Sequence, residues 1–443
     1  MKKGLAVVSL VVLALSAALP SMAQDVISLE DAIAQGREVS TTVGQSRQQL
    51  QVRRQQVLNS WGNFLPDLNL NTYAGRSYIG PTSIQIDPNT GREFQGNGFD
   101  FESYSFSLNS QVLLWDWLGN VKTLQSSQAG AKASEYGLQY QKDVISAQVV
   151  RQYYNLVRDE YLILVAEESV KAAQRNLDQV EAFFTIGSNT KADVLQAQVR
   201  LGGTQLEQIV AKNNAEVSRA TLATTLQRPL NAPLQVDTSL AITRIDPDLD
   251  AEIQYMLGHR PDLLGTETLV AAAGDNLSAV KRTRWPTLGL AFSYGWNDRL
   301  WPSEDFFFKN EYNWRVGLAV NWPIFDRYQR KANIINASAQ ERIAELTYTQ
   351  AKLDAILQVK TIYLSLHEAS ERARVARQTT DQGKENLRLA EERYRVGAGT
   401  ILETNDAQVS LTQAMADLVT AHTDYLIARA NLQLATGRPV KVD

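Results

Sequence analysis

Cysteine is absent from this chain, and histidine occurs only three times in 443 residues. The first absence excludes a disulfide framework, a thiolate metal site, a cysteine nucleophile and a lipid-acceptor thiol. The second leaves His259, His367 and His422 scattered, and His367-Glu368 has no partner histidine one helical turn on. Asp246, Asp248 and Asp250 imitate the start of a calcium loop, but Ala251 stands where the loop needs glycine and no glutamate closes it. No glycine-rich phosphate loop precedes a helix, so any energy must come from another protein. Charge of one sign is also missing, with 44 Lys and Arg against 48 Asp and Glu. That balance argues against nucleic acid as a partner. The sequence therefore predicts no enzyme, no cofactor and no metal.

Long apolar runs are confined to the N-terminus. Lys2 and Lys3 precede an apolar run from Leu5 to Leu19, followed by Pro20 and Ser21-Met22-Ala23. This pattern predicts a signal peptide over residues 1–23, cut after Ala23. Without the two signal lysines, 42 basic face 48 acidic side chains, a net charge of −6. No later stretch reaches the roughly 18 apolar residues of a spanning helix, so a membrane role requires strands.

Proline is the most instructive scarcity. None of the 12 lies between Pro88 and Pro229 or between Pro323 and Pro439, where Ala, Gln, Leu, Glu, Lys and Arg abound. These are long helices. One hairpin is predicted over 118–226, turning at Gly187-Ser188-Asn189, and a second over 328–436, turning at Gly397-Ala398-Gly399. Shorter helices are expected from about Leu29 to Trp61 and Ala251 to Arg284, with breaks at Gly36 and at Gly258 to Pro261.

The two hairpins repeat each other. An offset of 210 residues pairs Asp116 with Asp326, Tyr153 with Tyr363, Gly187 with Gly397, Thr190 with Thr400, and Arg228-Pro229 with Arg438-Pro439. Upstream the offset is 220, aligning Leu65-Pro66 with Trp285-Pro286. The duplication divides the mature chain into 24–250 and 251–443, with an equatorial segment at 227–250. Each descending helix spans about 100 Å and each return helix only about 54 Å. The shorter helices complete the column. Stacking is expected to place Ala251 to Arg284 over the first return helix and Leu29 to Trp61 over the second.

All eight tryptophans fall between Trp61 and Trp117 or between Trp285 and Trp322, where residues alternate with period two. Strands are predicted at about 67–78, 101–113, 287–297 and 312–322. In the last, Tyr312, Trp314, Val316, Leu318, Val320 and Trp322 alternate with Asn313, Arg315, Gly317, Ala319 and Asn321. Apolar outside and small or polar inside is the signature of a transmembrane β-strand. Four strands cannot close, because about eight are needed and lipid tolerates no open edge. Three protomers would supply 12 strands. The loops Ile79 to Asp100 and Asn297 to Glu311 should face the exterior.

On this architecture, and on Tyr394-Arg395-Val396-Gly397-Ala398-Gly399-Thr400 with Glu403 and Asp406, and Phe184-Thr185-Ile186-Gly187 with Asp193-Val194-Leu195, the chain resembles the TolC family of outer-membrane efflux proteins. The resemblance implies a mainly α protein with a transmembrane β-barrel: a homotrimer whose 12-stranded barrel, set in outer-membrane lipid, continues into a periplasmic α-helical tunnel. It implies an exit duct for tripartite efflux or type I secretion, with a periplasmic adaptor and an inner-membrane RND or ABC translocase as partners. A non-conducting trimeric coiled-coil protein of the envelope is the alternative, and it has no use for lipid-facing strands.

The same resemblance assigns candidate residues. Ile186, Gly187 and Ser188, with Val396, Gly397, Ala398 and Thr400, are the turns where the adaptor docks. Glu403, Asp406 and Asp193 are the acidic residues of the periplasmic gate. Glu403 and Asp406, three apart, share a helix face, so three copies would crowd six carboxylates around the axis. Tyr394, Arg395 and Lys191 are candidates for a latch. Gly399 stands where some members carry a basic latch, which leaves Arg393, Arg395 or Lys191 to reach a carboxylate such as Asp193.

Overall fold

The computed structural model describes residues 26–81, 85–86, 90–94, 98–230, 234–238, 244–298 and 312–440. The expected signal peptide, three short stretches of the first exterior loop and most of the second lie outside the described residues. The chain opens with β1 (Val26–Ile27), α1 (Leu29–Val39) and α2 (Thr41–Gly62), then β2 (Asn69–Ile79), β3 (Gln85–Ile86), β4 (Glu93–Phe94) and β5 (Phe99–Trp115). The first hairpin is α3 (Gly119–Thr185) and α4 (Lys191–Thr225), followed by β6 (Gln235–Val236). Then come α5 (Leu249–His259), α6 (Pro261–Arg282), β7 (Thr287–Asp298), β8 (Tyr312–Asn321) and the second hairpin, α7 (Gln329–Arg395) and α8 (Ile401–Thr436). Both α3 and α7 are 67 residues long, or about 100 Å.

The sheet runs β2-β5-β7-β8 with every neighbour antiparallel, leaving β2 and β8 as edges. Its register keeps like with like. Phe106 faces Trp296, which faces Tyr312; Leu108, Tyr294 and Trp314 form the next row, and Val112, Leu290 and Leu318 a third. Between them run Ser107, Gly295 and Asn313, then Asn109, Ser293 and Arg315. A one-residue slip would turn every aromatic to the polar face, so the pattern fixes the register.

Each strand passes into its long helix through two successive left-handed residues, Trp117 and Leu118 in the first repeat, Arg327 and Tyr328 in the second. An aspartate holds both turns. The Asp116 carboxylate accepts the Asn120 N–H at 2.5 Å and Asp326 accepts that of Arg330 at 3.0 Å.

The main core lies at the equator, where Ala32, Val43, Val149, Leu156, Leu222, Leu226 and Tyr425 are buried. The parallel pair β1 and β6 girdles it. The Tyr153 hydroxyl accepts the Asp237 N–H at 3.0 Å and lies 3.2 Å from the Ile27 carbonyl, so one side chain ties both strands down. Burial pushes its phenol up to about 12.

Two expectations need correction here. The break between α1 and α2 falls at Ser40, not Gly36, because Ser40 caps α2 through its hydroxyl. Gly36 instead permits close packing, since a Cβ there would lie 2.7 Å from Val149 Cγ2.

The stacking is also the reverse of that expected. Gln35 of α1 donates to the Leu226 carbonyl at 3.0 Å, and Gln227 donates to Val39 at 2.7 Å, so α1 and α2 continue α4. At the other column, Arg260 donates to the Ala435 carbonyl at 3.2 Å, so α5 and α6 continue α8. The pairing of β1 with β6 is the reason. It brings the N-terminal segment to the chain just leaving α4. The duplicated arginines clasp these junctions, Arg228 on Gln35 at 3.0 Å and Arg438 on Glu252 at 3.1 Å.

Candidate functional site

The free ends of the two hairpins lie side by side, far from the sheet. Both turns close identically. Gly187 and Gly397 adopt φ of 77° and 75°, where a side chain would be strained, and each accepts the chain reversal. Ser188 N–H donates to Phe183 at 2.9 Å and Ala398 N–H to Arg393 at 2.8 Å, satisfying the last carbonyls. Ile186 and Val396 stand outermost, each 73% exposed.

The hairpins touch through Tyr394, one of the candidate latch residues, and through Asn189 and Phe183, to which sequence reasoning gave no role. The Asn189 amide donates to the Tyr394 hydroxyl at 3.3 Å, and the Tyr394 ring meets Phe183 edge-on at 6.0 Å. Above this contact lies a cleft of about 560 Å³, whose lining includes Arg175, Arg200, Glu391, Glu392 and Arg395. The alignment of Asn189 with Gly399 and of Phe183 with Arg393 was the available signal, because duplicated positions that differ in chemistry mark where one repeat does what the other does not.

Each return helix starts on a threonine whose hydroxyl accepts an N–H three residues on, Asp193 for Thr190 and Glu403 for Thr400, both at 3.3 Å. Beyond that the carboxylates diverge. Asp193 turns back and accepts the Thr190 N–H at 2.8 Å, completing a capping box. That main-chain bond, with one from the Thr190 hydroxyl, holds the Asp193 carboxyl below the usual range. Glu403 reaches sideways instead and pairs with Arg393 at 3.5 Å.

The expected latch partners are redistributed accordingly. Asp193 is occupied by its own helix cap and takes no ion pair among the described residues, so none of Arg393, Arg395 and Lys191, the expected partners, pairs with it there. The Lys191 ammonium lies 5.9 Å from the Phe184 ring centre. Arg395 lines the cleft, leaving Arg393 as the basic residue on a tip carboxylate. Gly399 makes room for that pair, since a Cβ there would lie 3.1 Å from Arg393 Cβ and 3.2 Å from Glu403 Oε2. Asp406 is exposed one turn further on, on the Glu403 face.

The family model described as outer membrane efflux protein matches residues 32–227 and 253–438, which take in both hairpins and all four sheet strands. The chain belongs to the outer membrane efflux protein family. It is an outer-membrane channel protein whose helices extend into the periplasm. The chain is 25% identical over 341 residues to the probable efflux pump outer membrane protein TtgC of Pseudomonas putida, covering 75% of this chain and 69% of the relative. It is 26% identical over 385 residues to the pyoverdine export outer membrane protein OpmQ of Pseudomonas aeruginosa, covering 84% and 77%. Among solved structures, the CmeC outer membrane channel of Campylobacter jejuni superposes with a TM-score of 0.78 at 17% identity, over 92% of this chain and 85% of that one. That likeness gives the fold, a β-barrel continuous with a helical tunnel.

Proposed function

We propose that three copies of this outer membrane efflux protein close into a 12-stranded barrel and form the exit duct of a tripartite pump for small organic molecules. The observation that carries it is the polarity of the protomer. One end is a sheet with an in-register apolar face and two unpaired edges; the other is a pair of tips presenting Ile186 and Val396. The open edges β2 and β8 need partners in lipid, and a copy of the same chain supplies them. The exposed tips give a periplasmic adaptor two equivalent apolar contacts per protomer. Relatives named for toluene, antibiotic and pyoverdine export support small organic cargo. An inner-membrane RND-type translocase would supply the energy.

Within this duct, Glu403 and Asp406 form the acidic ring of the periplasmic mouth. Arg393 tempers the charge of Glu403, so Asp406 contributes the larger share.

Ile186→Glu with Val396→Glu tests the docking. The variant should assemble as a trimer in the outer membrane and fail to restore drug resistance to a strain deleted for this gene. Full restoration would remove the tips from adaptor docking.

A further inference from the structure

The two repeats meet the membrane boundary with the same backbone and different charge. In the second repeat, a cleft of about 440 Å³ opens between the end of α6 and the start of α7, lined by Arg284, Ile324, Phe325, Tyr328, Lys331 and Ile335 among others. Its rim continues the lipid face of β8. Trp314, Val316, Leu318, Val320 and Trp322 share one parity, and Ile324 extends it, with Ile324, Phe325 and Tyr328 exposed by 83%, 72% and 70%. Apolar groups so exposed at the end of a membrane strand belong in the interfacial layer.

Two cations sit against this rim. Arg330 also lines the cleft, but it is neutralised by Asp326 at 2.6 Å. Arg284 and Lys331 have no anionic partner among the described residues. Their long stems can lie along the apolar rim while the charged ends meet the headgroup layer. The duplicated positions carry no charge: Phe64 aligns with Arg284, Asn120 with Arg330 and Val121 with Lys331. The aspartate-held turn is thus common to both boundaries, while the free cations belong to one.

We propose that this cleft binds the headgroup of an anionic phospholipid from the leaflet on the helical side of the barrel. Arg284 and Lys331 hold the phosphate, and Ile324, Phe325, Tyr328 and Ile335 hold the glycerol and upper acyl chain. Both walls come from one protomer, so each copy carries one complete site. The site rests on the outer-membrane placement of the chain and is independent of cargo and of adaptor docking.

Native mass spectrometry of the purified channel with added phosphatidylglycerol or phosphatidylcholine tests it. The anionic lipid should bind preferentially, and Lys331→Gln should weaken it roughly fivefold and Arg284→Gln with Lys331→Gln roughly 30-fold, at about one basic side chain's contribution each. The same spectra report assembly, which should be unchanged. Val121→Gln at the first boundary should leave lipid binding as it was. Equal binding of the two lipids, undiminished binding by the double variant, or displacement by millimolar inorganic phosphate would overturn the proposal. Efflux by the double variant tells a failed lipid site from a failed duct, since it should persist.

Discussion

The two repeats solve the same geometric problem at each return helix with opposite chemistry. At the end of α4, Gln227 takes a left-handed φ of 51° and amide side chains bridge to α1. At the end of α8, its duplicate Gly437 takes φ 78° beneath Arg260, which is buried and paired with Asp262 at 2.7 Å. The same contrast recurs at the tips, where the Asp193 carboxylate is held by uncharged donors of its own helix cap and Glu403 joins an ion pair. A duplicated frame leaves one copy free to carry charge while the other remains structural, and here the second repeat carries it.

The junctions give the largest expected difference. A Cβ on Gly437 would lie 2.7 Å from Arg260 Cα and 2.9 Å from the His259 carbonyl, both backbone. Gly437→Ala should therefore cost about 2–5 kcal/mol, from left-handed strain and overpacking together. Gln227→Ala should cost about 1 kcal/mol, one side-chain hydrogen bond. Thermal unfolding of the detergent-solubilised channel compares them, and equal losses would show that the junctions are equivalent.

The equator offers a pH-dependent contrast. The Tyr153 phenol is raised to about 12 by burial from a usual value of 10.0, so its contribution is complete below pH 10 and is lost as pH rises towards 12. Stability measured across that range should fall, and Tyr153→Phe should flatten the fall. Tyr363→Phe, at the duplicated position, should leave it in place. A steep alkaline loss that survives Tyr153→Phe would assign the titration elsewhere.

The tips should differ least in stability and most in conductance. Glu403→Ala with Asp406→Ala should reduce cation selectivity in planar-bilayer recordings, because like charges brought together around an axis attract cations. Asp193→Ala should leave selectivity nearly unchanged, since its carboxylate is held by its own helix. Exposed pairs such as Arg393 with Glu403 contribute roughly 0–1 kcal/mol, so unfolding should barely register either change. If Asp193→Ala alters selectivity as much as the double variant, the tips are electrostatically alike.

Much of this frame was legible because it rests on periodicity and on chain breaks. Long helices follow from missing prolines, the strand faces from alternation, and the turns from Gly187 and Gly397. The column pairing was not legible, because it depends on where the irregular segment after Leu226 lays β6 beside β1, and two-residue strands carry no period. The fate of Asp193 and Glu403 was equally hidden. Both follow a threonine by three residues and both could close a capping box. Ten residues upstream, Phe183 stands in one hairpin and Arg393 in the other, and the arginine draws Glu403 away. Only the folded turn brings those positions together.

The junctions also bear on ancestry. Since α1 and α2 continue α4, and α5 and α6 continue α8, each half of the chain contributes two sheet strands, one long helix and one composite column complete in itself. A gene encoding a single half would need no element from the other. Six such half-length chains around an axis would supply the same 12 strands as three whole ones. Fusing two copies in tandem then frees one tip, one junction and one membrane boundary to diverge. Hexameric symmetry becomes threefold without rearranging a strand.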